Sequence, residues 1–161
     1  MIKTKLLLKL LCCLLSLSIQ AQNTKRTLLP AQYASIKTGD TLTLRQILNE
    51  GVPVDAAEED GKTLLMKAAA KGDLAQIKFL LEAGADVEQK SNKGYTPLYY
   101  AASENQKEAI DMLLKAGADL NKKGPLGLSI TAEISFFHNL TMTRYLLEKG
   151  AKIKIQCLKR R

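Results

Sequence analysis

The chain holds few of the side chains that do chemistry: its 161 residues include one histidine, three cysteines and 5% aromatics. A single imidazole, His138, rules out a zinc site built on several of them. The one thiol relay that can be written, His138 with Cys157, would join a turn between two helices to a tail beyond the last helix, so no catalytic residue is expected. Cys12 and Cys13 fall in a segment that export would remove. That leaves Cys157 alone, with no intramolecular disulfide, and stability has to come from packing. Gly124-Pro125-Leu126-Gly127 lacks the Lys and the Ser or Thr of a phosphate-cradling loop, and Glu58-Glu59-Asp60 lacks the alternating spacing of a calcium loop. No metal, no cofactor and no enzymatic activity are therefore expected.

A strong charge of one sign is missing as well. The formal net charge is +8, but the first 21 residues hold Lys3, Lys5 and Lys9 and no acid, so the remainder carries 21 basic and 16 acidic side chains. An excess of +5 argues only weakly for a polyanionic partner. The basic end, Lys149, Lys152, Lys154, Lys159, Arg160 and Arg161, has no interleaved aromatic residue for base stacking, so nucleic acid is not an expected partner. A solubilising end is the reading, with contact to an anionic membrane surface as the alternative.

No apolar run is long enough for a membrane span. Residues 6–17 are apolar apart from Lys9 and the small Ser16, short of the roughly 20 residues a bilayer-crossing helix needs. Lys3 and Lys5 before that run and Ser18-Ile19-Gln20-Ala21 after it make residues 1–21 an export signal, with cleavage expected after Ala21. A permanent anchor is the alternative, as is lipidation at Cys12, although Leu11 stands where a lipoprotein signal usually has a small residue. Residues 22–29 are polar and are read as a flexible leader, and Pro30 suits the first turn of a helix.

What the chain does have is a repeat. Gly61-Lys62-Thr63-Leu64-Leu65 returns as Gly94-Tyr95-Thr96-Pro97-Leu98, Ala68-Ala69 as Ala101-Ala102, Leu80-Leu81 as Leu113-Leu114, and Gly84-Ala85-Asp86 as Gly117-Ala118-Asp119, each 33 residues on. The same step backward reaches Gly39, Asp40, Leu48 and Gly51; forward it reaches Gly127, Leu146, Leu147 and Gly150. Four copies of one supersecondary unit follow, each burying its apolar face against its neighbours. Within a copy, the Thr or Ser just beyond a finger glycine is expected to cap a first helix. Asp40, Asp73 and Asn139 are expected to cap the second, Gln106 being the weaker choice there. The paired leucines should bury against both neighbours, and Gly84, Gly117 and Gly150 should stop the second helix.

Gly94-x-Thr96-Pro97-Leu98-Tyr99-x-Ala101-Ala102 with Leu113-Leu114-x-x-Gly117-Ala118-Asp119-x-Asn121 resembles the ankyrin repeat, with Tyr99 where that family usually has His. The copy from Gly61 matches similarly, with Leu64 for Pro and Met66 for His. The fourth copy departs from the pattern, placing Ile134 where a small residue normally lets helices approach. The resemblance implies an all-α fold, an ankyrin-type α-solenoid of about four helix-turn-helix repeats with short hairpin-like fingers. The expected organisation is a signal peptide at 1–21, a leader at 22–29, the repeat domain at 30–155 in units of about 30–57, 58–90, 91–123 and 124–155, and a basic tail at 156–161.

The resemblance also implies a binding role, because such arrays grip macromolecules along a concave face made of finger tips and first helices. Carried over position by position, that face holds Glu58, Glu59, Asp60 and Lys62 on the first finger, Asn92, Lys93 and Tyr95 on the second, and Lys123, Pro125, Leu126 and Leu128 on the third. The helix positions are Lys37, Thr38, Ala70, Lys71, Ser103, Glu104, Phe136 and Phe137. Tyr95 is the strongest single candidate as an aromatic anchor, with packing along its own hairpin as the alternative. Tyr99 and Tyr100 are read as core or semi-core, and Phe136 and Phe137 as a seal on the array's end. A monomeric, periplasmic, non-enzymatic adaptor for another protein is expected, without stable membrane insertion. The alternative is a secreted host-directed effector or a membrane-tethered protein.

Overall fold

A computed structural model describes residues 41–136 and 139–152. The expected export signal and leader, the helix expected from Pro30, the expected cap at Asp40, Lys37, Thr38, Phe137, His138, Cys157 and the end of the basic tail lie outside the described residues. Seven helices and no strands occur among the described residues: α1 (Thr41–Asn49), α2 (Leu64–Lys71), α3 (Leu74–Glu82), α4 (Pro97–Ser103), α5 (Lys107–Lys115), α6 (Ile130–Phe136) and α7 (Leu140–Glu148). Each has seven to nine residues, too short to persist alone in water, so tertiary packing has to hold them.

The local signals that start and stop these helices recur in register. Thr63 Oγ1 accepts from the Met66 amide at 3.3 Å, Asp73 Oδ1 from Gln76 at 3.0 Å, and Asn139 Oδ1 from Met142 at 3.0 Å. Ser129 Oγ does the same for Ala132 at 3.4 Å. Thr96 departs from expectation: its hydroxyl makes no cap bond, and Pro97 in the first turn, with φ already fixed, starts α4 instead. Gln106 likewise gives no side-chain cap. After α3 the chain turns through Gly84 at φ +87°, and the amides of Gly84 and Ala85 return to the carbonyls of Leu81 and Leu80. Gly51, Gly117 and Gly150 repeat that paired closure, a turn that needs the left-handed backbone glycine adopts without strain. Asn105 at φ +63° takes the place that Gly72 has one unit earlier.

The first helices form one row, α2 against α4 and α4 against α6, and the second helices form another, α1 against α3 and α3 against α5. Ala68, Ala69, Ala101 and Ala102 are fully buried where α2 meets α4, the most extensive of these contacts. Ile47, Leu80, Leu113 and Leu146 are buried, one from each unit. Their pair-mates do not match them: Leu48, Leu81 and Leu114 are half-buried, and Leu147 is 42% exposed. The expectation that both leucines are buried is therefore corrected. Adjacent positions on a helix point about 100° apart, so only one of the two can face the space between the rows. Phe136 is 75% exposed and does not seal the array; two positions on from buried Ile134, about 200° around the helix, it falls on the side of α6 turned away from the core.

Candidate partner-binding face

Three fingers precede the three described first helices, and each closes by the same pair of backbone bonds. The amides of Glu58, Ser91 and Gly124 donate to the carbonyls of Lys62, Tyr95 and Leu128 at 3.0, 3.0 and 2.8 Å. Within each, the amide of Gly61, Gly94 or Gly127 donates back to residue 58, 91 or 124, a tight turn with glycine at positive φ. Gly61 is needed for a second reason. A Cβ there would run into the backbone nitrogen and side chain of Asn92 on the neighbouring finger.

That close approach joins the first two tips. The Asn92 amide donates to Asp60 O at 3.1 Å and its Nδ2 to Glu59 O at 2.7 Å. At the equivalent point on the third finger stands Pro125, which has no amide hydrogen to give; its ring lies against Gly94 instead. Lys90 Nζ reaches Lys123 O at 3.5 Å as a longer substitute.

Each finger is also tied, or not, to the helix behind it. Lys67 Nζ meets the Glu58 carboxylate in the first; burial, and then Lys71, push that ammonium down to about 8 even so. Ser91 Oγ accepts from Tyr100 Oη at 3.2 Å in the second. In the third, the matching residues are Gly124 and Glu133. The Glu133 side chain is buried, neither carboxylate oxygen meets a donor at bonding geometry, and Oε1 lies 2.5 Å from where a Cβ of residue 124 would be. Burial pushes this carboxyl up, and the backbone amide of Leu126 offsets that only in part.

At the bases of the units runs a third set of bonds. Asp55 Oδ1 accepts from the Asp86 amide at 3.0 Å, Glu88 Oε1 from Asp119 at 2.7 Å, and Asn121 Oδ1 from Lys152 at 2.7 Å. An oxygen acceptor every 33 residues signals this ladder in the sequence, but its bonds cross units and need the stacked geometry to be seen.

The expected face residues divide by exposure. Glu59, Lys71, Asn92, Lys93, Glu104 and Leu126 are exposed, Leu126 at 65%; Asp60, Lys62, Tyr95 and Leu128 are half-buried. Asp60 and Lys62 form an ion pair at 2.8 Å. Burial pushes the Asp60 carboxyl up, but the hydrogen bonds and charge of Lys62, with Lys93 beyond, outweigh it and hold the group below the usual carboxylate range. Lys62 also lies 5.6 Å from the centre of the Tyr100 ring. Tyr95 stacks on Tyr99, ring centres 3.8 Å apart and planes 14° from parallel, with Tyr100 edge-on to both. Burial and the neighbouring Tyr95 raise the Tyr99 phenol, so that phenol is uncharged at any ordinary pH. Tyr95 thus packs on the start of α4 as well as standing at a finger.

Among the described residues no group of histidine, cysteine or carboxylate side chains is arranged to hold a metal ion, and no helix is long and apolar enough to cross a membrane. Glu133 was not singled out from the sequence. Setting positions 67, 100 and 133 beside 58, 91 and 124 would have shown a carboxyl whose partner is glycine.

Comparison with curated proteins finds no match. The family model described as ankyrin repeats (3 copies) matches residues 31–124, more than half of the chain. Such repeats are generally modules for protein–protein interaction and typically lack enzymatic activity. The match ends at the glycine that leaves Glu133 without a partner, and with fingers, helix stops and base ladder recurring at one offset before it, the chain belongs to the ankyrin repeat family.

Proposed function

We propose that this protein is an exported, periplasmic, monomeric adaptor without enzymatic activity, gripping another protein with its finger tips and first helices. The observation that carries the reading is the row of equivalent tip residues Asp60, Lys93 and Leu126, which runs from acidic through basic to apolar. The first two tips are hydrogen-bonded to each other, so a partner meets side chains whose spacing is already set, and less ordering is needed on binding. The flanking exposed side chains Glu59, Lys71, Asn92 and Glu104 extend the same surface. Export is supported by Lys3 and Lys5, the mainly apolar residues 6–17 and the small-residue exit at Ala21.

Pull-down from an envelope extract tests the face, with Lys93→Glu and Leu126→Asp combined in the competing bait. Both side chains are exposed, so thermal stability should be unchanged while a captured protein is lost. An unchanged catch would contradict the face. Tyr95→Ala is the poorer probe, since it also removes the Tyr99 stack. Fractionation with N-terminal sequencing tests the address. A start at Gln22 in the periplasm supports it; a retained Met1 leader or material in the medium points to a tethered or secreted protein.

A further inference from the structure

The fourth helix pair, α6 and α7, is held differently on its two sides. On the finger side three substitutions at equivalent positions have removed most of its attachments, the long contact from Lys90 Nζ to Lys123 O remaining. Pro125 replaces the Asn92 donor, Gly124 replaces the Ser91 hydroxyl, and Ile134 replaces the alanine at which α2 and α4 approach. On the other side the attachments persist. Asn139 Nδ2 donates to Asn105 Oδ1 at 2.7 Å, Tyr145 Oη donates to Asp111 at 2.7 Å, and Lys149 pairs with Asp111 at 2.6 Å. Glu133 and the Thr131 hydroxyl are buried on α6 with no hydrogen-bond partner.

An ionised carboxylate with no donor is costly to bury, whereas its neutral form is tolerated far better. We propose that Glu133 makes the fourth helix pair a pH-responsive end unit, docked against α4 while the carboxyl is protonated and loosened on its finger side when it ionises. The groups around it do not cancel this: the Leu126 amide, short of bonding geometry, lowers the carboxyl by less than burial raises it. Tyr99 on α4 is neutral, Tyr100 is bonded to Ser91, and Lys67 is paired with Glu58. On the finger, Lys122 is paired with Glu88 and Lys123 is exposed. On α7, Arg144 and Glu148 are exposed and Lys149 is engaged with Asp111.

The sign follows from burial raising the carboxyl in the docked state. Docking is fully stabilised below the ordinary glutamate value of about 4.3 and weakens as pH rises through the higher docked value. The loss is about tenfold in the docking equilibrium for each unit between the two values. Asp111 acts oppositely. The bonds from Lys149 and then Tyr145 hold it low, so its contribution is lost only in more acid solution, on the other side of the ordinary carboxyl range.

The test is a carbon-detected NMR titration of the glutamate carboxyls in the full chain, with backbone amides read in the same samples. Glu133 should titrate above the other glutamates, and amides of α6 and its finger should move with that midpoint while those of α2 and α3 do not. Glu133→Gln should remove the amide transition. If that variant does not fold, Gly124→Ser with Glu133→Tyr, which copies the Ser91–Tyr100 pair, should give flat amides across the same range. Titration of Glu133 with the ordinary glutamates, or an amide transition that survives in the folded variant, would overturn the proposal.

Discussion

Between the α2–α3 pair and the α4–α5 pair, finger tips, first helices and base turns are all joined. Between α4–α5 and α6–α7 the base turns and second helices keep their bonds, but the finger side has lost most of its own. The difference is one of side chains at a few equivalent positions, not of backbone plan, because all three fingers close by the same hydrogen bonds. A solenoid unit is therefore as stable as its interface with its neighbour, and an end unit has only one such interface.

Leucine truncation should give the largest effects, and should separate the inward-facing from the outward-facing member of each pair. Leu80→Ala, at a fully buried position between neighbours, is expected to cost about 2 to 5 kcal/mol. Leu147→Ala, at the partly exposed position of α7 that matches Leu81, should cost no more than about 1 kcal/mol. Urea denaturation midpoints measure both, and equal losses would erase the distinction.

Next in size is a pair of glycine substitutions. Gly127→Ala meets nothing within 4 Å and suffers only from its positive φ, a cost of about 1 to 2 kcal/mol. Gly61→Ala adds a clash with the Asn92 backbone, worth a further 1 to 3 kcal/mol or about that. Thermal unfolding of the two variants should rank them in that order.

A smaller effect runs the other way. Pro125→Asn should return the tip bonds that Asn92 makes, each contributing about 0.5 to 1.5 kcal/mol. The loss of proline's stiffness offsets about 0.4 to 1 kcal/mol of that. Slower amide exchange in the third finger would show the gain.

The smallest expected change is at Asp111. Its carboxyl is held low, so its contribution is present above the ordinary aspartate value of about 3.9 and lost as pH falls through the lower folded value. Asp111→Asn should flatten the acid-range dependence of α7 amide shifts and leave the neutral range unchanged.

Much of this architecture was legible in the sequence because it is local. Thr63, Asp73 and Asn139 cap within three residues of themselves, and Gly84, Gly117 and Gly150 stop helices by their own φ. What was not legible depends on neighbouring units. The acceptors Asp55, Glu88 and Asn121 bond amides 31 residues away, and only stacking brings them together. The half-burial of Leu81 and Leu114 depends on which side of each helix the neighbouring row covers. Thr96 looked like Thr63, but Pro97 took over its role. On the candidate face, the fingers and their order were readable, whereas the Tyr95–Tyr99 stack and the burial of the Glu133 carboxyl arise only from tertiary packing.

The measurement that bears most directly on the contrast between the units is single-residue amide exchange of the full chain near neutral pH. Amides inside α2, α3, α4 and α5 should exchange together, through the rarest opening, while those in α6 and the third finger exchange faster through an opening that leaves the other helices protected. Uniform protection from α2 through α7 would contradict the weakly attached fourth unit.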